Sequence, residues 1–258
     1  MKNRWALKNR KALVTGATRG IGKAIVEEFL ELGAEVFIVS RNQKDIEEQL
    51  KVYKVKSLKV EGVKCDVTNA EDRENLSEKI NSVWGKLDIL VNNAGTNTRK
   101  KTLENTEEDF DKLMNLNLKS AFELCKLFHP LLKNSGDGSI VNIVSVAGIT
   151  SVGTGSPYAV SKAAMIHFTR YLAVEWAKDS IRVNAVAPWY IRTSLTETVL
   201  NDQEKLQLIL SRTPLNRIGE PAEVAAVAAF LSMQAASYVT GECIAVDGGF
   251  LKWGVDLN

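Results

Sequence analysis

The sequence predicts an α/β protein: one domain built on a doubly wound parallel sheet of about seven strands, with helices on both faces. Three observations predict it. Short β-branched runs alternate with amphipathic stretches along the whole chain, and a glycine-rich turn joins the first run to the first amphipathic stretch. No linker, low-complexity tract or shift of composition divides residues 1–258. Lys11-Ala-Leu-Val-Thr15 reads as a buried strand. A helix over 21–32 follows, because Ile21, Ile25, Phe29 and Leu32 recur at steps of four, four and three, and Gly33 stops it. Further strands are expected at 35–39, within 58–67, and at 87–91, 139–144, 181–186 and 242–246. Helical patterns lie near 69–84, 107–133, 157–178 and 220–232. Thr106 and Asp109 have capping-box spacing, and Pro221 suits a first helical turn. Strands separated by helices at this spacing imply right-handed crossovers and a sheet covered on both faces.

Composition excludes several classes. Hydrophobic residues at 45% and charged residues at 25% rule out disorder, fibres and disulfide scaffolds. Lys+Arg 33 against Asp+Glu 31 leaves +2 with the signs interspersed, so neither nucleic acid nor an anionic membrane is an expected partner. Cys65, Cys125 and Cys243 are widely spaced without a CxxC pair, so no metal site or disulfide frame is expected and a reduced, cytoplasmic setting is. The amino-terminal segment is charged every few residues, unlike a signal peptide, and no apolar run approaches the ~20 residues of a membrane span.

The first strand runs into Thr15-Gly16-Ala17-Thr18-Arg19-Gly20-Ile21-Gly22. Strand, glycine turn and helix N-terminus form an anion site where free amides and the helix dipole face a pyrophosphate. The spacing is G-x-x-x-G-x-G rather than G-x-G-x-x-G. About twenty residues on, where an NAD site carries a carboxylate for the ribose, this chain has Ser40-Arg41-Asn42. With Arg19 in the turn, two guanidinium groups and no carboxylate suit the 2′-phosphate of NADP(H) rather than NAD(H); the competing reading makes both arginines solvated surface charges.

Tyr158 and Lys162 stand four apart, so both project from one helix face. A neighbouring ammonium favours the phenolate and brings a tyrosine toward working range. Such a pair arises by chance in many helices, but here it accompanies Asn92-Asn93-Ala94-Gly95 after the fourth strand, Ser145 ending the fifth, and Asn117 in the preceding long helix. With these motifs in this order, the chain resembles the short-chain dehydrogenase/reductase family over essentially its whole length. The resemblance implies a Rossmann-type fold and hydride-transfer chemistry by Asn117, Ser145, Tyr158 and Lys162. Tyr158 would give a proton to a carbonyl oxygen that Ser145 also holds. Lys162 would bind the nicotinamide ribose and lower the Tyr158 pKa, and Asn117 would order a proton-relaying water. Asn115 competes for that last role, although Asn117-Leu118 followed by Ala121-Phe122 fits the family spacing better. Cofactor contacts are implied for Gly16, Thr18, Arg19, Gly20, Ile21, Gly22, Ser40, Arg41, Asn93, Ala94 and Gly95. Asp66 and Val67 would meet the adenine; Pro188, Ile191 and Thr193 would lie near the nicotinamide.

One departure is Pro188-Trp189, where the family usually reads Pro-Gly. Arg4-Trp5-Ala6-Leu7, Thr98-Arg99-Lys100 and the segment from Ala187 to Leu195 are similar to tropinone-reductase-like members, as is the Ser237–Phe250 ending. Residues 189–212 are expected to form a substrate lid, whose Leu195, Val199, Leu206 and Leu210 either line a pocket or simply pack together. His129 and His167 lack metal-ligand spacing and read as structural. Arg99-Lys100-Lys101 either edges the active site, attracting an anionic substrate or acidic carrier, or is a solvated run. The expectation is an NADPH-dependent reductase of a small or cyclic ketone. The alternatives are a 3-oxoacyl-thioester reductase and a non-catalytic NADP-binding protein. By the same resemblance the chain is expected to form a homotetramer or homodimer through its two long helices and carboxy-terminal strand region.

Overall fold

In the central strands successive side chains go to opposite faces, as the pleat requires. Ala12 and Val14 enter one apolar cluster and Leu13 the other; Val36 and Ile38 part from Phe37 and Val39 in the same way. These strands are β1 (Lys11–Thr15) and β2 (Glu35–Ser40), and they belong to a sheet with β3 (Val60–Lys64), β4 (Ile89–Asn92), β5 (Gly138–Ile143), β6 (Ile181–Pro188) and β7 (Cys243–Val246). All seven are parallel, in the order β3-β2-β1-β4-β5-β6-β7, in a computed structural model that describes residues 3–254. The expected doubly wound sheet is therefore present. Its centre is buried on both faces: apart from Lys11 every residue of β1, β4, β5 and β6 is buried, rather than every second one.

Helices α1 (Gly20–Glu31), α2 (Gln43–Val55) and α9 (Pro221–Ser232) supply Ile25, Phe29, Ile46, Tyr53, Val224 and Ala228 to one cluster. On the other face, α3 (Ala70–Trp84), α5 (Ser120–Asn134) and α6 (Ser156–Glu175) contribute Leu76, Ile80, Leu124, Phe128 and Leu172. Each large side chain buried this completely stabilises the fold by about 2 kcal/mol.

Two places differ from the sequence expectation. Helix α2 was not expected, because its run of charges hides a narrow face of Ile46, Leu50 and Tyr53; Asn42 caps it by accepting from the Lys44 amide (3.0 Å). The third strand, Val60–Lys64, falls within the expected 58–67 and lies at the sheet edge. The long helix expected over 107–133 is α4 (Glu107–Met114) joined to α5 through one π-helical turn, Asn115–Lys119. Thr106 caps α4 in the expected box with Asp109. Among the described residues no helix is long and apolar enough to cross a membrane, and no three His, Cys, Asp or Glu side chains group as metal ligands.

Candidate active site

The strand order reverses between β1 and β4, and the crevice at their carboxyl ends is where an open α/β sheet binds its ligands. Here the Thr15 hydroxyl donates to the Val91 carbonyl (3.1 Å) and accepts from the Asn93 and Ala94 amides (2.9 and 3.0 Å). Asn93 Nδ2 donates to the Thr15 and Gly16 carbonyls (2.8 and 3.1 Å), so the NNAG segment and the glycine turn form one unit. Gly22 has no alternative: a Cβ there would lie 2.2 Å from the Gly16 oxygen. The turn borders a cleft of about 370 Å³.

At one end of the cleft stand Thr18, Arg19, Ser40 and Arg41, with the Thr18 hydroxyl donating to the Ser40 hydroxyl (3.2 Å). No Asp or Glu lines the cleft among the described residues. Glycine-turn amides with two guanidinium groups form a donor set that fits a dinucleotide carrying a 2′-phosphate. Cys65 and Val67 line the cleft, and Asp66 does not. The Asp66 carboxylate accepts from the Thr68 amide (2.9 Å) and hydroxyl (2.7 Å). Burial pushes that carboxyl upward, but the Thr68 donors and the Arg41 guanidinium outweigh it and hold it below its ordinary value. The period-two rule, carried past the end of β3, was the available signal for Cys65.

At the other end, Ser145 closes β5 and caps a short 3₁₀ turn, its oxygen accepting from the Ala147 amide (3.1 Å). Gly148 lets this turn rest on α6, since a Cβ there would lie 2.6 Å from the Lys162 carbonyl carbon. Tyr158 and Lys162 sit one helical turn apart on the face of α6 that this contact brings to the cleft. The buried Lys162 ammonium donates to the Ile143 carbonyl (3.0 Å) and lies 5.7 Å from the Tyr158 ring centroid. Burial pushes it down to about 8. The expected lowering of Tyr158 is not found. Burial drives the phenol above its ordinary value and, with Tyr190 nearby, outweighs the Ser145 hydroxyl and the Arg99 guanidinium, which pull it down. Lys162 lies beneath the ring and bonded to Ile143, so its charge does not offset that burial.

The π-helical turn aims Asn117 inward. Its oxygen accepts from the Thr96 amide (2.9 Å), and its nitrogen donates to the Thr96 carbonyl (2.9 Å) and Ser161 hydroxyl (3.2 Å). Asn115 instead borders an outer groove between α4, α5 and α6. Pro188, Ile191 and Thr193 line the cleft, with Trp189 and Thr196 beside them. Thr196 pins this loop by accepting from the Thr193 amide (3.1 Å). The segment 189–212 forms α7 (Glu197–Leu200) and α8 (Gln203–Ser211). Of its four noted apolar residues only Leu195 reaches the cleft; Val199, Leu206 and Leu210 join a small core of their own with Trp189 and Tyr190. Trp189 stacks on Phe250 (centroids 3.8 Å apart) and donates through Nε1 to the Thr213 hydroxyl (3.1 Å). His129 Nε2 lies 2.9 Å from Asp179 Oδ2, away from the cleft, and His167 borders the outer groove.

A family model described as enoyl-(acyl carrier protein) reductase matches residues 16–251. A tropinone reductase homolog of Arabidopsis thaliana is 52% identical over 96% of this chain and 94% of its own length. A second Arabidopsis homolog, named as chloroplastic, is 51% identical over 96% of this chain and 77% of its own. Among solved structures, a gluconate 5-dehydrogenase from Burkholderia cenocepacia in complex with NADP and tartrate superposes with a TM-score of 0.94 at 30% identity, covering 97% of this chain and 98% of that one. The chain belongs to the short-chain dehydrogenase/reductase family, in its tropinone-reductase-like branch.

Proposed function

We propose that this chain is an NADP(H)-dependent oxidoreductase that interconverts a ketone and a secondary alcohol. The observation that carries the reading is the convergence of Ser145, Tyr158 and Lys162 on one end of a cleft whose other end is a glycine turn flanked by Arg19 and Arg41. Gly16 to Gly22 would hold the pyrophosphate on free amides, and the two arginines the 2′-phosphate. The bound nicotinamide supplies the hydride. Tyr158, held protonated at neutral pH by its burial, gives its proton to the carbonyl oxygen. The Ser145 hydroxyl donates a second hydrogen bond to that oxygen, stabilising charge as it develops. Lys162, cationic below about pH 8, supports the phenolate as it forms. Asn117 acts as a positioning residue, holding the Thr96 backbone through both of its polar groups. NADP in the related gluconate 5-dehydrogenase favours the same cofactor here.

The acyl-thioester alternative rests on a basic rim, and that rim is weakened because Lys100 is paired with Asp109 at 2.6 Å. We also propose that copies of the chain associate through α4, α5 and α6, whose outer groove of about 1620 Å³ exposes Phe122 and Tyr171. Three free thiols suit a reducing compartment such as the cytoplasm.

The test is oxidation of NADPH, with NADH in parallel, against cyclic ketones, keto-sugars and acetoacetyl thioesters. Turnover should require NADPH and a ketone, and Tyr158→Phe should reduce kcat/KM by about 100-fold or more while cofactor affinity stays unchanged. Preference for NADH, or full activity in Tyr158→Phe, would overturn the reading.

A further inference from the structure

Arg99 follows the NNAG segment by four residues and belongs to none of the elements of the fold. Its Nη2 donates to the Leu195 carbonyl (3.1 Å), on the loop whose Leu195 lines the cleft with Ser145 and Tyr158. The guanidinium is therefore fastened to the rim of the substrate end, exposed and outside the cleft lining itself. Its charge reaches two phenols, acting against the burial that raises Tyr158 and Tyr190.

Several other cations are already paired, although Lys101 of the same run is not. Lys100 pairs with Asp109, Arg192 with Glu220, and Arg217 with Glu223. Arg99 enters no ion pair among the described residues. One carbonyl leaves most of its five N–H donors for another acceptor. With Arg19 and Arg41 taken up by the 2′-phosphate, what remains is a cleft lining without any carboxylate. A ketone bearing a protonated amine would find no carboxylate there to pair with. One bearing a carboxylate would meet a planar fork matched to its two oxygens.

We propose that Arg99 is the anion-recognising group of the substrate site, so that the preferred ketone carries a carboxylate within reach of the Leu195 loop. The proposal rests on the reading of the cleft as a ketone/alcohol oxidoreductase site and adds the class of ketone it selects.

Three cyclic probes isolate the charge: 4-oxocyclohexanecarboxylate, its methyl ester and N-methyl-4-piperidone. Their binding to the NADP⁺-loaded protein is measured by calorimetry, which requires no turnover, and initial rates with NADPH are measured separately. The carboxylate should bind about tenfold tighter than the ester, with the piperidone weakest. Arg99→Gln should bring the carboxylate-to-ester ratio close to one with NADPH affinity and thermal midpoint unchanged, and Arg99→Lys should keep part of it. An arginine that served only to tether the loop would weaken carboxylate and ester alike. Equal binding of the two by the unmodified protein, no binding of the carboxylate, or a ratio unchanged in Arg99→Gln would overturn the proposal. Arg99-dependent carboxylate binding without NADPH oxidation would instead overturn the reductase reading and leave the anion subsite standing.

Discussion

Lys162 is an ammonium where water is nearly absent, with one carbonyl as its hydrogen-bond partner. The fall from 10.5 to about 8 means that the folded protein disfavours the charged form. The cost is fully present below pH 8 and fades as the pH rises toward 10.5, where the unfolded chain also loses the proton. That shift corresponds to about 3 kcal/mol, part of which the Ile143 bond returns. Lys162→Met should therefore raise the thermal midpoint of the cofactor-free protein at pH 7 by about 2–4 °C while abolishing turnover. The advantage should shrink between pH 8 and 10.5. A lower midpoint at pH 7 would show that the ammonium is better solvated than its burial implies. Arg41 offers a second test at this scale. It lines the cleft beside Ser40 with no carboxylate in the lining, so Arg41→Ala should raise the KM for NADPH about tenfold or more and leave that for NADH nearly unchanged. Steady-state kinetics with both cofactors would read the difference.

Elements meet in this site at contacts that tolerate no extra atom. The turn after β5 carries Ser145 and reaches α6 only because Gly148 has no side chain. Gly148→Ala would place a methyl carbon 2.6 Å from the Lys162 carbonyl carbon and 2.8 Å from the Ala163 nitrogen, so turn and helix must part. The expected outcome is a loss of about 1–3 kcal/mol of stability together with a lower kcat. Cofactor affinity should change less, because the Gly16–Gly22 turn lies at the opposite end of the cleft. Denaturation curves and a cofactor titration separate the two effects, and an unaltered kcat would mean that the Ser145 turn has room to adjust. The π-helical turn at Asn115–Lys119 acts at the same scale: it redirects the helix between α4 and α5 so that Asn117 rather than Asn115 faces Thr96.

For the whole molecule, the outer face of α4, α5 and α6 exposes several large apolar side chains. Tyr171 is 64% exposed and Val174 82%, beside Phe110 and Phe122 at 41%. Sedimentation should give a mass that is a multiple of 28.4 kDa, and Tyr171→Glu should shift it toward the single chain. A monomer at micromolar concentration would exclude association through this face.

The sequence by itself determined the sheet, its seven strands and the cleft at their carboxyl ends. Apolar runs, helical periodicity and the glycine turn are local signals, and each survives in a linear reading. Tyr158 and Lys162 were legible because one helical turn separates them, Arg19 because it lies in the glycine turn, and Arg41 because its distance from that turn is set by one βαβ unit. Helix α2 was present in the pattern of Ile46, Leu50 and Tyr53 but masked by charge. Only the tertiary structure decided that Val199, Leu206 and Leu210 form the lid's own core and that Arg99 is fastened to Leu195. It also reversed the expected direction of the Tyr158 shift. The physical reason is common to all three: each outcome depends on burial or on partners distant in the chain, and sequence spacing carries neither.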